Sequence, residues 1–254
     1  GVRLVGSEMC TRDRNDIPTI LNDVSHRPWE IPKGNLAYYQ EWNDALFLHF
    51  RVDEKNLREL VPAEIELDTF QGKTYVSVVC FRMEQIHPIH LPAVGFLSNF
   101  YEINVRTYVK KGDKTGVYFL NIEAEKAFSA WVARTLSGLP YEKSIIKRTN
   151  RGYTNANSQK NFHLDVGFNI SSRIEDKTPF DLWLTERYCL YLKHNNNLYR
   201  YQIHHREWQL NSVKLYNVDM VYQLGAIELS SNDLVAVHYS RELPVVSWKR
   251  EKIL

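Results

Sequence analysis

Short runs of apolar, β-branched and aromatic residues alternate with polar turns along most of the chain, which predicts a protein built mainly of β-strands. Two turns are typical of tight hairpins, namely Lys111-Gly112-Asp113-Lys114 and the polar segment 194–197. Many strands with few helices indicate a large antiparallel sheet that is curled or closed around a core or a cavity. The predicted strands are 45–52, 74–84, 100–109, 116–124, 144–149, 161–170, 187–193, 198–206, 234–239 and 245–249.

Apolar residues at helical spacing occur in a few segments only. Asp53 is a suitable N-cap for a short helix that buries Leu57 and ends before Pro62. The clearest helical pattern lies in residues 127–136, after which a glycine and a proline end the helix. We also predict a helix at 219–224.

The composition is that of an ordinary folded domain. Of the 254 residues, 44% are hydrophobic and 13% aromatic, which suffices for a core and excludes wholesale disorder. The net charge is only +2, from 32 basic and 30 acidic side chains, so the sequence indicates neither a nucleic-acid partner nor an acidic membrane partner. No apolar run approaches the roughly 20 residues of a membrane span.

No flexible linker divides the chain, so we expect residues 25–254 to form a single domain preceded by an N-terminal arm at 1–24. The first residues lack the apolar segment of a secretory signal. The cysteines Cys10, Cys80 and Cys189 are odd in number and far apart, which favours reduced thiols over a disulfide framework. These features predict a cytoplasmic protein.

The strand 100–109 carries the most informative polar pattern. Strict alternation places Glu102, Asn104 and Arg106 on one face, with Tyr108 beyond them. Such a row can line a polar cavity, because arginine offers a two-pronged donor to a carboxylate and a buried glutamate with a raised pKa acts as an acid or base. The alternative is the solvent-facing side of an ordinary antiparallel strand.

The histidine pairs do not indicate a metal site. His204 and His205 are adjacent on a strand and point to opposite faces, so they do not chelate one ion together. We expect one of them to face inward and hydrogen-bond a carboxylate, and the other to face water. His87 and His90 are separated by two residues, but prolines make their segment a loop. We therefore predict no metal.

No complete nucleotide, phosphate, hydrolase or redox motif occurs: GxGxxG, GxxxxGK[ST], GxSxG and CxxC are all absent from the sequence. We therefore predict no cofactor. Tyrosines such as Tyr188, Tyr191, Tyr199 and Tyr201 lie near basic residues, as on some RNA-binding surfaces. Alternating tyrosines on paired strands more often pack across the sheet, so we expect no nucleic-acid partner.

A set of short segments, in order along the chain, carries a family resemblance. They are HRPW at 26–29, LFLHF at 46–50, ELDTF at 66–70, FYEINVRTYV at 100–109, GVYF at 116–119, GLPY at 138–141, LTERY at 184–188 and IHH at 203–205. These segments resemble the YqjF-like family of uncharacterised bacterial proteins, over about His26 to Trp248. That family is similar in turn to the acetoacetate decarboxylase-like superfamily.

The resemblance implies a mainly β (α+β) fold, namely a cone-shaped, partly closed antiparallel β-barrel around an interior cavity, with a few flanking helices. In acetoacetate decarboxylases a Gly-Phe-Pro-Lys-Lys segment supplies the Schiff-base lysine. The matching residues are Gly138-Leu139-Pro140-Tyr141-Glu142, so that lysine pair is absent, and a displaced role for Lys143 stays open. The Tyr101-Glu102 element resembles the superfamily strand that points a carboxylate into the cavity.

Residues and resemblance together predict a protein that binds a small organic acid or carbonyl compound in an interior cavity. Glu102 is the candidate acid or base, and Arg106 is the candidate anion clamp. The chemistry is that of a lyase or hydrolase without a Schiff-base lysine, or binding alone. The alternative is a structural or interaction module that acts through a homo-oligomer or a partner interface. Further predicted cavity residues are Asn104, Tyr118, Tyr141 and His49.

Overall fold

The computed structural model describes residues 17–125 and 141–254, so the helix predicted at 127–136 lies outside the described residues. The helices are α1 (Glu54–Leu60), α2 (Gly95–Ser98) and α3 (Pro179–Thr185), with a helical segment at 17–22 and a 3-10 turn at Ser231–Asp233. The strands are β1 (Leu36–Val52), β2 (Glu66–Leu67), β3 (Thr74–Pro88), β4 (Phe100–Lys111), β5 (Lys114–Ala124), β6 (Tyr141–Lys143), β7 (Ile145–Thr149), β8 (Gly152–Asn157), β9 (Phe162–Arg173), β10 (Cys189–His194), β11 (Asn197–His205), β12 (Asn211–Leu224), β13 (Ile227–Leu229), β14 (Leu234–Trp248) and β15 (Glu251–Lys252).

Seven of the strands close into a ring in the order β11–β10–β5–β4–β3–β1–β14. The ring closes where β11 pairs with β14, with Ile203 opposite Ser247. Neighbouring ring strands are antiparallel except β5 and β10, which pair in parallel at Val117 and Tyr118. In such a ring, alternate positions of each strand face the interior.

The sheet continues beyond the ring through β12, β9, β8 and β7, and this extension shares one apolar core with the outer face of β1, β3 and β4. Leu46, Val78 and Val105 on the ring are fully buried in that core, together with Tyr153 and Leu164 of the extension. The central ring strands therefore have apolar neighbours on both faces. This explains why segments such as ALFLHF are continuous hydrophobic runs rather than alternating ones.

Two β-bulges reverse the alternation within ring strands. Asp44 in β1 and Gln85 in β3 have left-handed backbone, with φ of 53° and 54°, and the β1–β3 register shifts beside each of them. A bulge inserts one extra residue, so the inward-facing positions change from even to odd or from odd to even. The residues of β1 that face the interior are Tyr38, Gln40 and Trp42 before the bulge, and Ala45 and Phe47 after it.

The structure confirms one predicted helix and contradicts another. In α1 the Asp53 side chain accepts a hydrogen bond from the Asn56 amide at 3.0 Å, as its N-cap role requires. The helix predicted at 219–224 is wrong, because this segment is the end of β12. Its core-facing residues recur at every second position, as expected for a strand that packs one face on the ring.

The helical segment 17–22 packs on the ring, where Ile20 is buried with Tyr39, Val246 and Trp248. Among the described residues, no helix has the length and apolar character required to cross a membrane.

Candidate functional site

A cavity of about 100 Å³ lies inside the ring, and every ring strand contributes side chains to its wall. One enclosed water needs about 10–15 Å³, so the cavity has room for a small organic molecule. The wall is mostly aromatic and aliphatic with a few polar groups, which is the usual make-up of small-molecule sites. Its aromatic residues include Trp42, Phe47, Phe81, Phe119, Tyr141 and Trp208.

Glu102 points into this cavity from β4 and is only 3% exposed. Its Oε1 accepts a hydrogen bond from Asn104 Nδ2 at 3.0 Å, and its Oε2 accepts one from the Tyr141 hydroxyl at 3.2 Å. Burial raises the pKa of Glu102 to about 7, because the two hydrogen bonds and the charge of Arg106 offset only part of the desolvation. Both protonation states are therefore populated near neutral pH.

Arg106 lies on the same face of β4, and the described residues give its guanidinium no hydrogen-bonded carboxylate, although Glu102 attracts it from a distance. The Nε and Nη2 atoms of Arg106 are buried and have no hydrogen-bond partner among the described residues, while its guanidinium lies 5.6 Å from the Phe47 ring centroid. Burial lowers the pKa of this guanidinium, yet an arginine stays protonated at neutral pH. Because a buried cation without partners is costly, the geometry favours an anion in the cavity.

Four more buried polar atoms around the cavity lack hydrogen-bond partners within the described part of the chain, and they are Asn104 Oδ1, Trp42 Nε1, His205 Nε2 and Arg187 Nη2. The charge of Arg187 is balanced, since its Nη1 donates to Asp68 Oδ2 at 2.5 Å. Buried polar atoms are rarely left unpaired. Their concentration around one cavity is expected where a bound molecule supplies the missing partners.

A chain of hydrogen-bonded side chains lies inside the ring next to the cavity. Its members on β1, β3 and β4 are the next inward-facing residues beyond those that line the cavity. His238 Nε2 lies 2.8 Å from Asp181 Oδ1, its Nδ1 lies 3.1 Å from His49 Nε2, and His49 Nδ1 lies 2.7 Å from Ser77 Oγ. The Ser77 hydroxyl is 2.5 Å from that of Tyr108. Burial lowers the pKa of both histidines, so they are neutral, and the carboxylate fixes which nitrogen of each carries the proton.

The predicted lining residues separate into two groups. Asn104 and Tyr141 lie at the cavity. His49 does not, because it belongs to the deeper hydrogen-bonded chain. Tyr118 is on the other face of β5 and lines a separate groove with Leu60 and Tyr191. Lys143 is exposed on β6, outside the set of residues that line the cavity.

Both adjacent histidines are buried, which contradicts the expectation that one of them faces water. His204 Nε2 hydrogen-bonds to the Ile20 carbonyl, because the segment before β1 covers the outer face of β11. His205 lines the cavity, and its Nδ1 donates to the Arg206 carbonyl at 2.8 Å. In the ranges that the structure describes, neither histidine is bonded to a carboxylate.

Trp42, Arg187 and Trp208 line the cavity although the sequence does not predict them there. Trp42 precedes the bulge at Asp44, so extrapolating the alternation from 45–50 places it on the wrong face. Arg187 is the first residue of the predicted strand 187–193 but precedes β10 in the structure, and Trp208 lies between β11 and β12, so alternation orients neither side chain. Across residues 17–125 and 141–254, no cluster of three or more His, Cys, Asp or Glu side chains is arranged to hold a metal ion.

Comparison with known proteins finds the same fold in enzymes. An acetoacetate decarboxylase-like enzyme from Sphingomonas wittichii RW1 superposes with a TM-score of 0.56 over 87% of this chain and 94% of its own, at 15% identity. The enduracididine biosynthesis enzyme MppR, complexed with pyruvate, gives a TM-score of 0.57 over 89% and 93%, at 9% identity. At these identities the similarity establishes the fold, which is acetoacetate decarboxylase-like and mainly β, as predicted.

Sequence relatives place the chain more narrowly. It is 33% identical over 230 residues to the uncharacterized protein YqjF from Bacillus subtilis (strain 168), which covers 87% of this chain and 95% of that protein. The DUF2071 family, described as an uncharacterized conserved protein, matches residues 39–244. This range contains every ring strand, except for the first residues of β1 and the last residues of β14. The chain therefore belongs to the DUF2071 family and has an acetoacetate decarboxylase-like fold.

Proposed function

We propose that the cavity binds a small organic acid or carbonyl compound, with the carboxylate held by Arg106. The observation that carries this proposal is the buried guanidinium, two of whose nitrogens have no hydrogen-bond partner in the described ranges. The planar donor fork of arginine matches a carboxylate, and a ligand anion would reduce the cost of burying a guanidinium that lacks hydrogen-bond partners. The structural relative MppR, which is complexed with pyruvate, supports a small oxo acid as one candidate.

Glu102 is proposed as the acid or base. With a pKa of about 7, its carboxyl form can donate a proton to a ligand oxygen, and its carboxylate form can accept one from a neighbouring carbon. Asn104 and Tyr141 hold the two carboxyl oxygens and orient them. Asn104 Oδ1 is left to accept a hydrogen bond from a ligand.

The cavity residues do not favour imine chemistry. Among the described residues, no lysine lines the cavity. The resemblance of residues 138–142 to the decarboxylase segment implies that Tyr141 and Glu142 take the places of its two lysines. Imine formation needs an amine nucleophile at the site. We therefore propose a lyase or hydrolase that works without a Schiff base, or a protein that only binds its ligand. Cys80 and Cys189 are free and buried, which supports a reducing compartment such as the cytoplasm.

The test is isothermal titration calorimetry with small carboxylic acids, including pyruvate, acetoacetate and butyrate, on the wild type and on Arg106→Met. This substitution keeps the length and the apolar stem of the side chain, so we expect folding to survive and affinity for the bound acid to fall at least about 30-fold. Hydrogen bonds to charged groups and the Coulomb attraction of a desolvated pair account for this loss.

Arg51→Met is the matched control, because Arg51 is exposed on β1 away from the cavity, and its affinity should equal that of the wild type. An Arg106→Met protein that folds and still binds the acid with wild-type affinity would rule out the anion clamp. If no small acid binds the wild type, the interaction-module alternative becomes the better explanation.

A further inference from the structure

The cavity has a second polar end, formed by His205 and Trp42. In the strand register, Arg106 of β4 lies opposite Ser77 of β3, whereas Trp42 of β1 lies opposite Met83 of β3. Since Ser77 and Met83 are six residues apart on β3, Arg106 and Trp42 mark different ends of the cavity. The aromatic rings of Phe47 and Trp208, with centroids 5.0 Å apart, lie between the two ends. The ring centroid of Trp208 lies 5.7 Å from that of His205 and 5.9 Å from that of Trp42. A ligand anchored at Arg106 therefore passes an apolar wall before it reaches this second end.

The hydrogen-bonding character of His205 is fixed by its surroundings. Its Nδ1 lies 2.8 Å from the Arg206 carbonyl oxygen, which only accepts, so Nδ1 carries the proton. Burial lowers the pKa of His205 to about 3, which keeps the ring neutral. Nε2 is therefore a bare acceptor, it is buried, and it has no partner in the described ranges.

Trp42 supplies the complementary group. Its Nε1–H can only donate, and this atom is also buried without a partner within the described part of the chain. Both residues line the cavity and their ring centroids are 6.2 Å apart, so one ligand group at this end of the cavity can reach both rings. This acceptor and this donor, on neighbouring rings of the cavity wall, match a group that donates one hydrogen bond and accepts another.

We infer that the ligand is a hydroxy acid whose hydroxyl group, remote from its carboxylate, is held between His205 Nε2 and Trp42 Nε1. A hydroxyl donates to the imidazole nitrogen and accepts from the indole N–H at the same time. A keto oxygen can only accept and leaves the histidine unpaired, while a methyl group leaves both atoms unpaired. An ammonium group gives the indole N–H no acceptor and adds a buried cation. This inference rests on the proposed carboxylate site at Arg106 and specifies what the other end recognises.

The experiment compares three oxidation levels of the same carbon skeleton by titration calorimetry at neutral pH. The probes are 3-hydroxybutyrate, acetoacetate and butyrate, with 4-hydroxybutyrate and 5-hydroxypentanoate to vary the distance between hydroxyl and carboxylate, each paired with its oxo and deoxy analogues. We expect one hydroxy acid to bind at least about tenfold more tightly than both of its analogues, because each analogue leaves a buried polar atom unpaired.

Trp42→Phe tests the assignment, because it keeps an aromatic ring and removes the N–H. We expect this variant to bind the deoxy acid as the wild type does and to lose most of the preference for the hydroxy acid. His205→Phe should behave in the same way. Trp29→Phe is the control, since Trp29 Nε1 donates to Gln202 at 3.1 Å outside the cavity, and its preference should be unchanged.

The possible results distinguish a wrong hydroxyl site from a wrong carboxylate site. If the deoxy or oxo acid binds as tightly as its hydroxy analogue, or if the preference persists in Trp42→Phe and His205→Phe, the hydroxyl site is wrong while the carboxylate site at Arg106 stands. If no acid binds at all, the proposed function and the hydroxyl site are both wrong. If the preference disappears in both variants and persists in Trp29→Phe, the inference is supported.

Discussion

Glu102 is a buried carboxyl group whose hydrogen-bond partners are an amide and a phenol rather than a cation. Burial inside the ring removes much of the solvation that normally keeps a glutamate ionised, and none of the described cations is hydrogen-bonded to Glu102, so its pKa rises to about 7. Such a residue weakens the fold whenever it is charged. A weakening of this kind is characteristic of functional positions, where chemistry and stability make different demands.

Replacing Glu102 with glutamine is expected to stabilise the protein in a pH-dependent way. The pKa of Glu102 is higher in the folded state than the 4.5 of a free glutamate, so the wild type loses stability as pH rises from about 4.5 to 7. At pH 8 the loss amounts to as much as about 3 kcal/mol, and Glu102→Gln should recover a large part of it. At pH 4.5 the two proteins should be close in stability.

Urea unfolding at the two pH values measures this difference. Glu66→Gln is the control, because Glu66 is exposed and the change there should be small at both pH values. If Glu102→Gln changes the free energy of unfolding by the same amount at pH 4.5 and at pH 8, the pKa of Glu102 is not raised.

At the scale of elements, the junction of β5 and β10 is the one parallel contact between neighbours in the ring, as far as the structure describes it. Gly116 makes this contact possible, because a Cβ atom at that position would lie 2.4 Å from the Cys189 carbonyl oxygen. The neighbouring backbone cannot give way as a flexible side chain can. The strands therefore approach at a distance that only glycine permits.

Gly116→Ala should weaken the ring at this junction. We expect a loss of about 1–3 kcal/mol in the free energy of unfolding, from the strain of overpacking. Amide hydrogen exchange should accelerate first at Val117 and Leu190, the paired residues beside the substitution. Gly95→Ala is the control, since nothing lies within 4 Å of a Cβ there. Unchanged stability and exchange in Gly116→Ala would show that the junction opens or shifts at little cost.

Much of the element pattern could be predicted from the sequence, because each strand has its own local signal. Alternation along 100–109 was enough to place Glu102, Asn104 and Arg106 on one face. The closure of the ring by β11 and β14 has no local signal, since β12 and β13 lie between the paired residues Ile203 and Ser247 in sequence. Trp42 was missed because one bulged residue, Asp44, intervenes. Residues 219–224 are predicted as a helix but form the end of β12, and their apolar residues fit both the helical and the strand period.

At the scale of the whole molecule, four buried histidines have lowered pKa values: His49, His205 and His238 inside the ring, and His204 on the covered outer face of β11. Burial is the largest cause of the lowered pKa in each of them, to about 4 for His204 and to about 3 for His205. Arg27 beside His204 and Arg106 near His49 act in the same direction, whereas Asp181 opposes the shift at His238. Because these imidazoles are buried in the neutral form, the folded protein is most stable at pH values where histidine is uncharged.

The protein should therefore lose stability in mild acid. Each histidine has a folded-state pKa below its usual 6.5, so the unfolded chain binds more protons as pH falls, and stability declines from about pH 6.5 downward. His205 alone should cost about 2 kcal/mol by pH 5.

Chemical unfolding at pH 7.5 and pH 5.0 measures this slope. His205→Phe should reduce the slope, while His163→Gln should not, because the His163 side chain is 45% exposed. Equal free energies of unfolding at the two pH values, after allowing for Glu102, would mean that the histidines are not buried in neutral form.

The bulge at Asp44 has a consequence for how β1 tolerates changes in length. Because the bulge is one residue long, a deletion that removes Asp44 together with the bulge restores strict alternation and leaves Tyr38, Gln40 and Trp42 facing inward. The same deletion within the regular stretch 45–50 would turn one part of the strand over, so that its inward and outward side chains exchange places. The loss of a single codon is therefore neutral for the cavity wall at Asp44 and disruptive a few residues later.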